Sequence, residues 1–460
     1  MDDPRKSGRR DFLKLGVATG LSAAIPGAVL TADTDRPPAP FAAPPMERVR
    51  IGFVGVGGMG TVHVRNLLQI EGAQIRAVCD IVEDKVTRAQ ELVQKAGQPR
   101  PSGYSRGPHD FERMCGEEEL DLVYTATPWE WHVPVCVAAM KAGKHAATEV
   151  PAAYTLDDCW LLVETAEKTR KHCVLMENCC YDRREMMILN LVRRGMLGEL
   201  LHAECGYLHD LRSIKFSTTG EGLWRRAHAM RRNGNLYPTH GLGPVAQVMD
   251  INRGDRFDYL VSMSSNARGL KLYAAEHFPP DDPRRRENFV LGDVNVSLIR
   301  TVNGKTIYIA HECDNPRPYS RINLVQGTRG VVCGYPDRVH IEGRSGEQWE
   351  PLEKYRDEFE HPLWRAEQIR TAKGGHGGMD FLEDTRLIQN LRHGVALDSD
   401  VYDAASWSVV CALTEQSVAR RSRPIDFPDF TRSKWKTTAP IGIIGAEPTA
   451  NAADAESRQS

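Results

Sequence analysis

Two hydrophobic periods alternate along the first third of the chain. VRIGFV (49–54) is an apolar run of strand length, and the stretch that follows, to Ile70, reads as a glycine turn and an amphipathic helix. IRAVCD (75–80) supplies the next strand, and DKVTRAQELVQKAG (84–97) a helix that ends at a glycine. DLVYTATP (121–128) is a buried strand, HVPVCVAAMKAGK (132–144) a helix and HAATEV (145–150) a further strand. Strands alternating with helices predict a parallel sheet of the doubly wound α/β class. TLDDCWLLVETAEKTRKH (155–172) predicts another helix, with Thr155 as its N-cap.

The pattern then changes. CVLMENCCY (173–181) predicts one more strand and RREMMILNLVRRGMLG (183–198) a helix closing at glycine. Strand patterns follow at 200–209, 257–265, 292–302, 305–312, 320–327 and 329–334, with Asn303-Gly304 as a hairpin turn between two of them. Strands joined by short turns predict an antiparallel sheet, so the second half is expected to be an α+β domain with a large, mostly antiparallel sheet. Its partly polar alternation predicts one face on a core and the other on the cleft or on a second subunit, hence a homo-oligomer through this sheet. Helices over 379–393 and 401–419 are expected to pack back across both domains.

The N-terminus has a different character. Arg5, Lys6, Arg9 and Arg10 precede the apolar, Gly/Ala-rich LGVATGLSAAIPGAVL (15–30), which is too short and weak to remain as a membrane span. Arg9-Arg10-Asp11-Phe12-Leu13-Lys14 resembles a twin-arginine export signal, the alternative being a general secretory signal, and predicts a periplasmic or extracellular protein. The expected organisation is therefore a signal at 1–32, a Pro/Ala-rich linker at 33–46, a nucleotide-binding domain at 47–172, a substrate domain at 173–435 and a disordered tail at 436–460. The net charge is −2 and both signs are dispersed, so nothing past the N-terminus predicts a nucleic-acid or membrane-surface partner. Eleven cysteines occur, most inside apolar runs, which predicts buried single thiols; paired C-x₂-C spacing is absent and no metal site is expected.

Gly55-Val56-Gly57-Gly58-Met59-Gly60 fits G-x-G-x-x-G between the first strand and helix. Such glycines let the backbone approach a pyrophosphate at a helix N-terminus. Asp80, at the end of the second strand, is placed to accept hydrogen bonds from the adenosine ribose and to repel a 2′-phosphate, which predicts NAD. Ligands bind at the carboxyl ends of parallel strands, so Thr125 to His132 (TATPWEWH) and Glu149-Val150 should line the cofactor cleft. Trp129 and Trp131 either cover that loop or stand beside the nicotinamide or adenosine.

The glycine turn, Asp80, the Thr-Pro loop, Ala142-Gly143-Lys144-His145 and the later sheet together resemble the glucose–fructose oxidoreductase and inositol dehydrogenase superfamily. That superfamily usually reads Glu-Lys-Pro where this chain has Glu149-Val150-Pro151. The lysine, which helps take the proton from the hydroxyl being oxidised, is replaced by Val150. An aspartate often stands four residues before the superfamily's histidine; four before His240 lies Leu236. Longer segments are similar to a narrower group, glycoside hydrolase family 109: TPWEWH (127–132), YLHDLR (207–212), GNLYPTHGLGP (234–244), RPYSR (317–321), GHGGMD (375–380) and PDFT (428–431). The likeness runs from about residue 48 to 436.

What the resemblance implies is an NAD-dependent α-N-acetylgalactosaminidase, or an enzyme for a related hexoside. NAD⁺ oxidises C3 of the sugar, the ketone acidifies C2, a base removes that proton, the glycosidic bond is eliminated, water adds, and C3 is re-reduced with no net use of cofactor. It implies Tyr237 and His240 as catalytic groups, His240 for proton abstraction and Tyr237 at the C3 oxygen. Histidine can serve as base or acid near neutrality, and tyrosine can donate to an oxyanion or, if a cation lowers it, act as a base. Tyr207, Arg225, Pro238, Thr239 and Tyr319 are implied at the substrate. Gly55, Gly57, Gly58, Met59, Gly60, Asp80, Trp129, Glu130, Trp131, His132, Glu149, Val150, Asn178 and Tyr237 are implied at the cofactor. Arg225 also reads as one charge of the Arg225-Arg226 run, Tyr207 and Tyr319 as packing residues, and His209 and His376 as structural. The competing readings are a pyranose or inositol oxidoreductase with tightly held cofactor, and a sugar-binding protein without catalysis.

Overall fold

The computed structural model describes residues 41, 43–366 and 375–442. The predicted signal, most of the linker and the last part of the predicted tail lie outside the described residues.

Six parallel strands form the first sheet: β1 (Val49–Val54), β2 (Ala73–Cys79), β3 (Ser102–Tyr104), β4 (Leu122–Thr125), β5 (His145–Thr148) and β6 (Cys173–Leu175). Their spatial order is β3-β2-β1-β4-β5-β6, with the chain reversing direction across the sheet between β1 and β4. Helices α1 (Gly58–Leu67), α2 (Glu83–Lys95), α3 (Asp110–Glu117), α4 (Trp129–Lys141) and α5 (Leu156–Thr169) connect them. The apolar runs that predicted strands are buried from both faces, and β4 and β5 are buried at every position. Thr155 caps α5 as expected, its hydroxyl accepting from Asp158 N at 3.1 Å.

The predicted strand at 173–181 is shorter. β6 stops at Leu175, and Asn178–Tyr181 forms a 3₁₀ turn because Glu177 turns back and accepts from Cys179 N at 3.1 Å. That turn sits at the carboxyl edge of the first sheet and leads into α6 (Arg183–Arg193).

The second sheet has nine strands in the order β14-β13-β12-β11-β7-β10-β9-β8-β15. They are β7 (Leu200–Leu208), β8 (Phe257–Ser264), β9 (Val294–Thr301), β10 (Thr306–Glu312), β11 (Leu324–Gly327), β12 (Gly330–Cys333), β13 (Arg338–Ile341), β14 (Glu350–Pro351) and β15 (Ile425–Asp426). β8, β9 and β10 form a meander, turned between β9 and β10 at Asn303-Gly304 as expected. The exception to antiparallel pairing is β10 beside β7. A helical excursion separates β7 from the meander, and it returns the meander's last strand alongside β7 in the same direction.

One face of this sheet is covered. Helix Thr239–Val248 packs on β7 and helix Val410–Ala419 on β8. The expected single helix over 401–419 is two, meeting at Val409, and the first, Val401–Ser408, lies on α5 and β6. Helix Met379–His393 packs against α1 and the 178–181 turn, so the C-terminal helices do span both sheets. The other face leaves Leu201, Met263 and Leu298 exposed at 47, 61 and 52%.

All eleven cysteines are buried and unpaired. The end of the expected linker is docked: Phe41 packs on His172, Ala43 is buried, and Met46 N donates to Arg392 O at 3.1 Å. Likewise the chain past Trp435 still makes contacts, with Arg193 Nε donating to Ile441 O at 2.6 Å. Among the described residues no helix is long and apolar enough to cross a membrane.

Candidate active site

A cleft of about 580 Å³ opens at the carboxyl ends of β1, β2 and β4. Its floor is the glycine turn. Gly55 has φ +83°, a conformation that side chains rarely adopt, and turns the chain out of β1 into α1. A Cβ on Gly60 would lie 1.9 Å from the carbonyl oxygen of Gly55, so α1 can start this close to β1 only with glycine there. A Cβ on Gly58, by contrast, would meet nothing within 4 Å, and one on Gly57 only Lys85 Nζ at 3.7 Å. No side chain caps α1 and its first turn holds no acid, so its amides are free for an anion. We expect Gly60→Ala to destabilise the fold by about 1–3 kcal/mol through backbone overpacking. Its melting temperature should drop, and NAD should raise it less than in the parent.

Asp80 closes the adenosine end. Its carboxylate accepts from Val56 N at 3.1 Å and Val82 N at 3.0 Å, which holds it at the mouth of the turn with lone pairs to spare. Ile81, Val82 and Lys85 beside it, with Leu223 and Trp224 across the gap, also line the cleft. Ile81 and Leu223 are 68 and 69% exposed, apolar surface suited to the flat face of a base. Neither residue is signalled by the sequence pattern, since an exposed aliphatic carries no periodicity. An open glycine floor, a free helix N-terminus, Asp80 and these apolar jaws fit a dinucleotide.

The inner end is aromatic. Trp129 is buried and stacks on Tyr237 with centroids 5.6 Å apart and planes 26° from parallel. Arg225 lies over both rings, at 5.1 and 4.7 Å, and its Nε pairs with Glu221 at 2.7 Å. Trp129, Tyr237 and Arg225 line the cleft together. Trp131 lines it further out, against His109 and Phe111. His132 stands behind, its ring nitrogens 2.8 Å from the carbonyl oxygens of Thr127 and Pro151, and so ties the β4 loop to the β5 loop.

Past Tyr237 stands a second group. Tyr207, at the end of β7, packs on Tyr237 at 4.7 Å and on His240 at 5.4 Å. Tyr237 and His240 do share a corner, 4.9 Å apart and nearly perpendicular. Helix Thr239–Val248 begins between them, so it carries His240 but not Tyr237. A Cβ on Gly241 would lie 2.5 Å from Gly206 N, so that helix rests directly on β7 and sets His240 against Tyr207. Tyr207 Oη lies 3.0 Å from His209 Nδ1, and Tyr319, 5.0 Å from His209, accepts from Arg321 Nη1 at 3.0 Å. Thus Tyr207, Arg225, Tyr237, His240 and Tyr319 converge with His209.

Charge states follow from burial. Burial pushes the Tyr237 phenol well above its ordinary value, and Arg225 opposes this without overcoming it. Tyr237 is therefore held as a neutral phenol, able to donate a hydrogen bond. Burial and Arg225 together lower His209. His240 Nδ1 lies 2.7 Å from Glu177 Oε1. Burial would raise the Glu177 carboxyl, but His240 outweighs it and holds the group below the usual range.

Glu149 lines the cleft and is anchored from behind. Its carboxylate lies 2.7 Å from His63 Nε2, whose Nδ1 lies 2.9 Å from Asp384. Burial alone would lower His63, yet Asp384 and Glu149 raise it well above its ordinary value. Val150, 3% exposed, occupies the cleft wall beside Glu149. Several side chains nearby are held by other parts of the fold. Asn178 donates to Asp380 at 2.7 Å, Thr239 is fully buried beside Glu177, and His376 pairs with Asp380 at 2.8 Å. Pro238 is buried at the start of the His240 helix.

Glu177, Cys179 and His240 bring one possible metal-ligand atom each to within 4.8 Å of one another. His240 Nδ1 and Glu177 Oε1 are in hydrogen-bond contact within this group, and burial pushes the Cys179 thiol well up.

A Rossmann-type dinucleotide domain joined to a large, mostly antiparallel sheet that carries an aromatic corner defines a protein of the NAD-binding oxidoreductase fold. A family model described as "Oxidoreductase family, NAD-binding Rossmann fold" matches residues 49–178. Levoglucosan dehydrogenase, solved with NADH and L-sorbose, superposes at TM-score 0.64 with 16% identity, covering 84% of this chain and all of that one. A scyllo-inositol dehydrogenase from Lactobacillus casei gives TM-score 0.59 at 13% identity over 83% of this chain and 98% of that one. At these identities the likeness is one of fold. A second family model, "Glycosyl hydrolase 109, C-terminal domain", matches residues 181–437. The chain belongs to glycosyl hydrolase family 109, and is a glycoside hydrolase built on an NAD-binding fold. A family 109 protein of Solibacter usitatus is 49% identical over 439 residues, 95% of this chain and 100% of its own. An alpha-N-acetylgalactosaminidase of Shewanella oneidensis is 49% identical over 411 residues, 88% of this chain and 90% of its own.

Proposed function

We propose that the chain releases terminal α-linked N-acetylgalactosamine, or a closely related hexoside, by temporary oxidation at C3 of the sugar. The observation that carries this reading is the meeting of Tyr237, His240 and Tyr207 at the inner end of a dinucleotide cleft, in a chain whose relative from Shewanella oneidensis is named for that activity. NAD, when bound, supplies reversible oxidation of the C3 carbinol and ends each cycle unchanged.

Gly55, Gly57, Gly58, Met59, Gly60 and Asp80 hold the pyrophosphate and adenosine. Trp129, Glu130, Trp131, Glu149 and Val150 shape the wall beside the nicotinamide. Tyr237, beside Arg225, holds the C3 oxygen by a hydrogen bond, and the C3 hydroxyl proton passes to solvent water as the carbinol is oxidised and is regained from it when C3 is re-reduced. His240 takes the C2 proton; the C2 electron pair becomes the C1–C2 double bond and the aglycone leaves C1 with its bonding pair. Water then adds at C1, and C2 is reprotonated from His240 after its proton has exchanged with solvent. Arg225, Tyr207 and Tyr319 grip the sugar and its acetamido group. Val150 is tolerated because proton transfer belongs to the second domain.

A panel of aryl α-glycosides tests the reading. Aglycone release without accumulation of NADH supports it. Stoichiometric NADH with the glycosidic bond intact would mark an oxidoreductase, and neither signal a binding protein.

We also propose twin-arginine export, since a folded protein can carry its cofactor across and a recycled cofactor needs no resupply. The exposed apolar face of the second sheet suits a second copy of the chain.

A further inference from the structure

We propose that Glu177 is the positioning residue for His240, holding the proton on Nδ1 so that Nε2 is the basic nitrogen offered to the sugar. This rests on the reading of His240 as the group that takes the C2 proton. The sequence gives no hint of the pair, since the two residues lie 63 positions apart, one on the β6 loop and the other at the start of a helix in the second domain.

The geometry is over-determined. Glu177 is 2% exposed, and its Oε1 lies 2.7 Å from His240 Nδ1 while accepting from Cys179 N at 3.1 Å. The 3₁₀ turn at Asn178–Tyr181 fixes the direction of the carboxylate. Gly243, one helical turn on from His240, makes room for it: a Cβ there would stand 2.8 Å from Glu177 Cγ. On the other side the imidazole is hemmed by the rings of Tyr207 and Tyr237. Nε2 has no hydrogen-bond partner among the described residues, so it is the free nitrogen of the ring.

A histidine that must abstract a proton needs its reacting nitrogen unprotonated and correctly aimed. A buried carboxylate on the opposite nitrogen provides both, and it stabilises the imidazolium once the proton has arrived. Glu177 itself neither touches the sugar nor changes protonation in the cycle. The carboxylate remains charged throughout, and the proton from C2 passes to Nε2, where it exchanges with solvent before C2 is reprotonated.

The test is a set of kinetic constants on NAD-loaded enzyme with an aryl α-N-acetylgalactosaminide. Glu177→Gln can turn its amide NH₂ toward Nδ1 and favour the wrong tautomer. We expect kcat to fall about 10²-fold, with KM, NAD retention and melting temperature close to the parent's. Exchange of the C2 proton with solvent should slow by the same factor. Glu177→Asp, which keeps the charge, should recover part of kcat.

Equal kcat in Glu177→Gln and parent would overturn the proposal. So would a loss in which melting temperature and NAD retention fall together and Asp is no better than Gln, the mark of a purely structural residue. Abolition of parent activity by EDTA, with return on adding Mn²⁺, would make Glu177 a metal ligand and also overturn it. If instead His240→Ala left C2 exchange untouched, the reading of His240 itself would fail, and that outcome is distinct from a silent Glu177.

Discussion

Replacing His240 with alanine should lower kcat for glycoside cleavage by about 10²–10⁴-fold, the span that a positioned acid–base group contributes. The expectation is large because nothing nearby can substitute. Glu177, the nearest titratable group, sits on Nδ1 at 2.7 Å behind the ring, and burial raises the phenols of Tyr207 and Tyr237 beside it. His209 faces Tyr207 and Tyr319 rather than His240, and burial lowers it. The Cys179 thiol is pushed well up, so it offers no thiolate. NAD binding should survive the substitution, because His240 is not among the residues that line the cofactor cleft. A rise in melting temperature on adding NAD, equal to the parent's, is the control. Steady-state kinetics with that control separates loss of chemistry from loss of cofactor.

The second large effect lies in the substrate. A glycoside methylated or deoxygenated at C3 should not be cleaved above background, even though the bond being broken is at C1. Without an oxidisable carbinol at C3 no ketone forms, and the C2 proton remains too weakly acidic for an imidazole to remove. Most glycosidases set two carboxylates across the scissile bond. Here, of the carboxylates around Tyr237, Glu177 pairs with His240, Glu221 with Arg225 and Glu149 with His63, while Glu130 lines the cleft further along. Binding of the blocked sugar as an inhibitor, seen in competition with the parent glycoside, would show that the corner was occupied. Hydrolysis of the blocked sugar would end this account.

The parts of the site that could be read from the sequence are those carried by local pattern. Strand, glycine turn, helix and terminal acid lie within 32 residues from Val49 to Asp80, and their spacing follows from backbone geometry alone. Thr155 capped its helix because capping is a contact across three residues. The Asn303-Gly304 turn formed where its dipeptide placed it. Long-range pairings left no such trace. Glu177 reads as part of a strand until it is seen turning toward His240. His63 and Asp384, 321 positions apart, join only when helix Met379–His393 returns onto α1, and they anchor Glu149 from behind. The parallel pairing of β7 with β10 likewise depends on the path of the intervening chain. Resemblance supplied the identities of Tyr207, Arg225 and Tyr319, whose convergence no periodicity announces. It also named Asn178 and Thr239, which the fold uses behind the wall of the cleft.

Charge on Tyr237 was open in the sequence, since Arg225 could have lowered the phenol. Burial decides it. The phenol is enclosed by Trp129, Tyr207 and His240, and the cost of burying a phenolate exceeds the attraction of one guanidinium. A neutral phenol beside a fixed cation is a donor for an oxygen that gains and then loses negative charge, the condition that a transient C3 ketone imposes.

The most direct measurement follows the hydrogen at C2. An aryl α-N-acetylgalactosaminide is cleaved by the NAD-loaded enzyme in D₂O, and the released sugar is read by proton NMR. The account predicts deuterium at C2 in the product and none at that position in unreacted glycoside recovered from enzyme-free controls, with no net NADH. Released sugar that keeps its original hydrogen at C2 through full turnover would contradict it.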